Sequence, residues 1–298
     1  MRKKILILGG GGFIGSHLYD RIDQQQHQIQ RSIRDAQPAA ANILSGSIDR
    51  ALLDQCTKPD VIFHVAGGAS VAESIRDPQH DFDKTLPAMN ALLNKMREDW
   101  PDSKLVYLSS AAVYGKNASL QTQADTRLAP MSPYGLHKQM TEQMLQYYAA
   151  MYQLQVKIVR PFSVYGPRLK KQLFWDVLQK ARSGQFTYFG SGMQQRDWLY
   201  VDDLADFLLY LSDHGWLQTP QILNAGSGIP TSVRTAIELT LQLAGYARQP
   251  EFSLHAKEGD PDDLVAAKQE LSSFGCLHKT SLTEGLQQYI QWFNECAL

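Results

Sequence analysis

The sequence predicts an α/β fold: a doubly wound parallel sheet with a smaller lobe toward the C-terminus. Three observations predict it. Short apolar runs alternate with longer helical patterns through the first half of the chain, as parallel strands require, because each must be joined to the next by a crossover. The runs "ILIL" (5–8) and "VIFHVA" (61–66) are continuously apolar rather than alternating, which is the pattern of strands covered on both faces. After about residue 165 the alternation loosens without a repeat, a low-complexity block or a flexible linker, so a second lobe is woven from several later segments.

Taken in order, "KKILILG" (3–9) is the first strand and a helix follows near 13–24. Further strands are expected at 28–34, 60–67, 104–110 and 155–161, with helices near 86–99 and 133–153. Beyond them come helices near 172–184 and 202–214, and "SLTEGLQQYIQWF" reads as an amphipathic helix. With 298 residues, 44% of them hydrophobic, a large core is affordable. The 29 Lys and Arg against 30 Asp and Glu leave no field to hold a polyanion or an anionic membrane, so no nucleic-acid or membrane partner is expected. Cys56, Cys276 and Cys296 are odd in number and free of ligand spacing, which suits a reducing cytoplasm and no metal. The apolar run Ile5 to Leu8 is too short for a signal peptide or a membrane span.

"LGGGGFIGSHL" follows the first strand and opens a helix, with Gly9, Gly12 and Gly15 in GxxGxxG spacing. The tight turn, the close backbone approach and the helix N-terminus together suit a pyrophosphate, so dinucleotide binding is expected over a merely flexible turn. An acidic residue at the end of the second strand would bind the ribose 2′-OH of NAD; a basic one would suit the 2′-phosphate of NADP. Here "QRSIRDA" puts Ile33 where the carboxylate is expected, with Arg31 and Arg34 around it. NADP is favoured through Arg34; Asp35 as a ribose ligand for NAD is the alternative.

"SPYGLHK" sets Tyr134 and Lys138 four positions apart, on one face of a helix. Leu136, Met140, Met144, Tyr147 and Met151 form an apolar stripe on a different face. Such a pair is ordinarily a surface pair. "VYLSS", however, places Ser109 and Ser110 at the end of the fifth strand, where open α/β sheets bind ligands. Ser110, Tyr134 and Lys138 then make a plausible hydride-transfer site, the ammonium and a bound nicotinamide lowering the phenol's pKa.

"GGGGFIGSHL", "FHVAGGASV", "YLSSAAVYG", "SPYGLHK", "RPFSVYGPR" and "RDWLYVDDLAD" occur in this order between residue 3 and about 294. In these motifs the chain resembles the extended short-chain dehydrogenases/reductases of the NAD-dependent epimerase/dehydratase family. The resemblance implies a Rossmann domain over 1–165, and a mainly substrate-binding lobe over 166–298 with segments returning to the sheet. It also implies a nucleoside-diphosphate sugar as substrate and a homodimer packed through the helices near 86–99 and 133–153. Tyr134 corresponds to the family's acid/base tyrosine, Lys138 to its partner and holder of the nicotinamide ribose, and Ser110 to the matching Ser/Thr. Gly9, Gly12, Phe13, Ile14, Gly15, Val65, Ala66, Gly67, Pro161 and Val164 correspond to cofactor positions.

The departures are as informative. Ala111 and Ala112 stand where dehydratases carry an Asp–Glu pair, which disfavours 4,6-dehydration. Ser47 and Ile48 replace an Asp-hydrophobe pair near the adenine, and Thr85 replaces an asparagine. On the substrate side Ser163 replaces an asparagine, Arg168 closes the same motif, Arg196 matches a phosphate-binding arginine, Lys257 stands for a second arginine, and Asp260 matches a ribose contact. Against these stand plainer roles: Arg196 paired with Asp197 or a neighbouring carboxylate, Lys257 simply solvated, His64 a satisfied core residue and His137 structural. The leading expectation is NADPH-dependent reduction of a 4-keto sugar on a nucleotide. A 4-epimerase with tightly held NAD is the alternative, and a non-catalytic cofactor sensor or scaffold ranks below both.

Overall fold

A computed structural model describes residues 2–34, 42–68, 70–214, 216–253, 262–272 and 279–296. The chain divides into two compact units: Met1–Lys116, Arg127–Arg160 and Ala205–Leu223 in the first, and Asn117–Thr126, Pro161–Leu204 and Asn224–Leu298 in the second.

The first unit holds most of a seven-stranded sheet. Its strands are β1 (Lys4–Leu8), β2 (Gln28–Ile33), β3 (Ile43–Ser45), β4 (Val61–His64), β5 (Lys104–Leu108), β6 (Gln155–Pro161) and β10 (Ile222–Ala225). They lie in the order β10-β6-β5-β4-β1-β2-β3, and every pairing from β6 to β3 is parallel. Leu6, Leu8, Ile62, Leu105 and Ile158 bury one face against Met89, Leu92, Leu93 and Met96 of α4 (Pro78–Asp99) and Leu145 of α5 (Pro133–Tyr152). The alternate residues Ile5, Ile7, Val61, Phe63 and Val106 are buried too. Covering on both faces is why the strand sequences are continuously apolar.

Both helices of that face start on strong signals. Asp77 caps α4 by accepting from His80 N at 3.0 Å, with Pro78 in the first turn; Ser132 caps α5 by accepting from Gly135 N at 3.2 Å, with Pro133 in the first turn. Helix α4 begins well before the expected 86, because its polar first turns hide the apolar period that begins at Leu86. The short elements β3, α2 (Arg50–Asp54) and α3 (Val71–Arg76) are additions to the expected order, each too short to show a period. The first helix, α1 (Phe13–Arg21), stops before the expected 24.

The second unit contains β9 (Gln195–Tyr200), paired with β7 (Ser163–Tyr165), β11 (Pro230–Ser232) and β13 (Asp263–Leu264). Beside it α6 (Gln172–Arg182) and α8 (Val233–Leu243) share a core of Val177, Ala181, Phe186, Tyr188, Ile237 and Leu241. Asp197 is fully buried within this unit and accepts from Ser227 N, Ser227 Oγ (2.7 Å), Gly228 N (2.9 Å) and Ala266 N (3.2 Å). No helix of the described residues is long and apolar enough to cross a membrane.

Candidate active site

In the first unit the parallel sheet ends at Leu108 and the chain turns through Ser109 and Ser110 into a short 3-10 turn at Ala111–Val113. Ser110 Oγ accepts from Ala112 N at 3.2 Å and lies close enough to the Tyr134 phenol to favour its ionised form. Tyr134 sits in the first turn of α5, and its N–H donates to Ser74 Oγ of α3 at 3.0 Å. One turn later Lys138 is buried, with Nζ donating to Leu108 O at 3.0 Å. Thus Ser110, Tyr134 and Lys138 form one cluster at the carboxyl end of β5.

The electrostatics differ from the simple expectation. Burial pushes the Tyr134 phenol up to about 12, against a smaller lowering by the Ser110 hydrogen bond. Burial also brings Lys138 down to about 8, opposed by the charges of Asp81 and Glu142. In the protein alone, then, desolvation dominates the phenol; lowering its pKa is left to a cationic cofactor.

Two strands along the sheet, after β1, the glycine loop closes on itself. Gly9 is left-handed at φ 93°, and a Cβ on Gly15 would lie 2.2 Å from Gly9 O. The turn therefore packs backbone on backbone as a pyrophosphate site requires. Helix α1 begins at Phe13 with Gly12 as N-cap, no side-chain cap and no acidic residue in its first turn. Its first N–H groups, at Phe13, Ile14 and Gly15, are left for an anion. After β4, Val65 N donates to Leu8 O, and Ala66 lies against Gly9. At Gly67 (φ 130°) an added Cβ would stand 3.5 Å from Lys138 Nζ and 3.7 Å from Thr85 Oγ1. A nicotinamide dinucleotide fits this row of residues: phosphate donors at the loop, the small residues Ala66 and Gly67 after β4, and Lys138 at the far end.

Thr85 is already engaged, donating to Asp81 O at 2.8 Å and accepting from Gly68 N at 3.3 Å. Ile48 packs against the core, Ser47 is exposed, and Asp49 caps α2. At the end of β2, Ser32 Oγ accepts from Gly9 N at 2.9 Å and so steadies the loop. Arg31 turns its guanidinium onto the Tyr19 ring, 3.8 Å from the centroid. Arg34 is exposed, one residue past the strand; Asp35 lies outside the described residues.

Of the expected cofactor positions, Pro161 ends β6 and Val164 lies on β7 beside Leu199 of β9; of the expected substrate-side residues other than Ser110, Ser163 lies on β7 beside Trp198. Arg168 is left-handed at φ 72°. Arg196 donates to the carbonyls of Gln195 and Asp262, at 2.9 and 3.1 Å. Its expected partner Asp197 instead collects backbone and hydroxyl donors. Lys257 and Asp260 lie outside the described residues.

His64 is buried as expected but not satisfied: neither ring nitrogen has a hydrogen-bond partner, and burial drives its pKa down to about 3. His137 pairs with buried Asp81 at 2.6 Å. Sequence reasoning missed Ser74, Asp81 and the buried pair Glu142–Arg160. Glu142 was recoverable, because it falls four residues after Lys138 on the same face, where a buried carboxylate demands a partner. The apolar stripe, by contrast, faces outward except at Met144, which packs on the core: Leu136 is 47%, Tyr147 59% and Met151 58% exposed.

Residues 5–226 match the family described as the NAD dependent epimerase/dehydratase family. A UDP-glucose 4-epimerase of Azospirillum brasilense is 30% identical, over 95% of this chain and 89% of its own. A putative UDP-glucose 4-epimerase of Methanocaldococcus jannaschii is 28% identical over 97% of each. Among solved structures, the UDP-glucose 4-epimerase of Thermotoga maritima with UDP-glucose superposes with a TM-score of 0.88, at 27% identity over 99% of this chain and 100% of that one.

Proposed function

The chain belongs to the NAD-dependent epimerase/dehydratase family, and from that membership we propose that it is a nucleoside-diphosphate-sugar 4-epimerase that retains NAD. The observation that carries the reading is the Ser110–Tyr134–Lys138 cluster followed at once by Ala111 and Ala112. It has a group to move the hydroxyl proton and none to eliminate water. Full-length likeness to UDP-glucose 4-epimerases supports the same choice over reduction.

The bound nicotinamide supplies a hydride acceptor and donor. Tyr134 takes the proton from the C4 hydroxyl and returns it after the ring has turned its other face. Ser110 orients the C4 oxygen and stabilises the phenolate. Lys138 holds the ribose and a positive charge behind the phenol. Arg196, Arg168 and Ser163 bind the diphosphate side, with Lys257 and Asp260 as further contacts.

The second reading, an NADPH-dependent 4-keto reductase, rests on Ile33 and Arg34 at the end of β2, where a carboxylate would mark NAD. A sensor or scaffold would have no use for the intact cluster. The outward stripe of α5 supports a homodimer formed through that helix. Met140→Glu with Tyr147→Glu is then expected to shift the sedimenting species from dimer to monomer; an unshifted dimer would place the interface elsewhere. Three unpatterned cysteines fit work in a reducing cytoplasm.

The deciding experiment follows the purified protein with UDP-glucose and with UDP-galactose, without added cofactor, by chromatography of the two epimers. Approach to one equilibrium mixture from both sides, with NAD released on denaturation, is expected. An empty protein that consumes NADPH stoichiometrically with a 4-keto sugar nucleotide would replace this reading with the reductase.

A further inference from the structure

The turn that carries Ser110 is held at both ends by one buried ion pair. At its start Ser109 Oγ donates to Glu142 Oε1 at 2.5 Å, and Ser109 N donates to Val159 O at 2.7 Å. At its end Arg160 Nη1 donates to the Tyr114 hydroxyl at 2.9 Å. Between them Arg160 grips Glu142 in a fork, Nε to Oε1 at 2.9 Å and Nη2 to Oε2 at 2.6 Å. Ser109 is 3%, Tyr114 0%, Glu142 0% and Arg160 2% exposed.

The cluster joins β5, the 3-10 turn, α5 and β6. Both partners of the proton-transfer pair hang on it, Ser110 by its neighbour Ser109 and Tyr134 by the helix that Glu142 anchors. A buried ion pair contributes little net stability compared with an apolar substitute. A forked pair with each remaining lone pair satisfied does fix geometry.

We propose that Glu142 and Arg160 are positioning residues that set the contact between Ser110 and Tyr134, and through it the acidity of the Tyr134 phenol. The proposal rests on the reading of Tyr134 as the acid/base group, but not on which sugar is bound. Removing the turn's two tethers frees Ser110 to move from the phenol. The phenolate then loses a hydrogen bond, and its pKa rises.

Because Glu142→Gln strands a buried guanidinium and is prone to unfold, the test uses Ser109→Ala, Tyr114→Phe and the pair together, which leave the ion pair in place. Each NAD-loaded variant is titrated by ultraviolet difference against the same variant carrying Tyr134→Phe, so that only the Tyr134 phenol is read. The double variant is expected to titrate about one pH unit higher than wild type, with each single variant between. Where epimerisation is measured, kcat falls on the order of tenfold with KM and NAD affinity unchanged, and the acid limb of the pH profile moves up by the same amount. A double variant that folds, titrates as wild type and keeps its kcat would overturn the proposal. Failure of the wild type to turn over any sugar nucleotide would defeat the functional reading alone, since the phenol titration still reports on the tethers.

Discussion

The first unit carries two polar corners at the carboxyl ends of its parallel strands, separated by β4 and β1, and they are built differently. At the β5–α5 corner Ser109, Ser110, Tyr114, Tyr134, Lys138, Glu142 and Arg160 all have named partners. At the β2 corner Ser32 holds the loop, but Arg31 stacks on Tyr19 and Arg34 stands exposed. Chemistry demands fixed geometry, because a hydrogen-bonded proton transfer tolerates little displacement. Recognition of the adenosine end demands only affinity, which several arrangements supply. The second corner is therefore where a chain of this family can depart from the usual residues without loss of the reaction.

The largest effect that tests this contrast is Tyr134→Phe. Turnover is expected to fall on the order of 1,000-fold, while NADH affinity by fluorescence titration stays within about threefold; a parallel loss of both would mean that the corners are not separable. Gly15→Ala comes next. Its methyl meets Gly9 O at 2.2 Å, so NADH affinity should fall about tenfold or more, and the melting point should drop with a cost of about 2 kcal/mol.

Smaller changes belong at β2. Ile33→Asp supplies the missing ribose acceptor and is expected to tighten NADH about tenfold. Arg34→Ala should leave NADH within about twofold. If the wild type prefers NADPH and Arg34→Ala abolishes that preference, the reductase reading gains and the contrast must be redrawn, with Arg34 as a specific ligand.

The smallest effect concerns Lys138, whose pKa burial lowers from 10.5 to about 8. Between those values the unfolded chain binds more protons than the folded one, so stability rises with pH across this window. Chemical denaturation of the cofactor-free protein from pH 8 to 10 should show that rise, and Lys138→Met should lack it. An equal rise in both would assign the slope to other groups.

How much of this was legible beforehand follows from the same physics. The sheet was readable because strands such as "ILIL" and "VIFH" are buried on both faces, and continuous apolar runs announce that. The Tyr134–Lys138 face was readable from spacing alone. The tethers were not: Glu142 and Arg160 are 18 residues apart, and only the register of β5 with β6 brings Ser109 beside them. Likewise the apolar stripe of α5 was visible as a stripe, but its outward direction was not, because periodicity fixes a face without saying what it meets. The second unit was least legible. Its β-strands β8 (Thr187–Tyr188), β12 (Glu251–Phe252) and β13 are each two residues long, too short for any pattern.

Asp197 has a consequence for how the protein is made. Its four donors come from Ser227, Gly228 and Ala266, all of which leave the ribosome after it. The last segment of the first unit ends at Leu223. During synthesis the first unit thus has its whole sequence available while the carboxylate at the centre of the second still awaits every one of its partners. Domains fold as units from the N-terminal side. A nascent chain that has emerged just past Ala225, the end of β10, would hold a protease-resistant first unit and a second unit open to cleavage, and resistance of the second would arrive only once Ala266 has emerged.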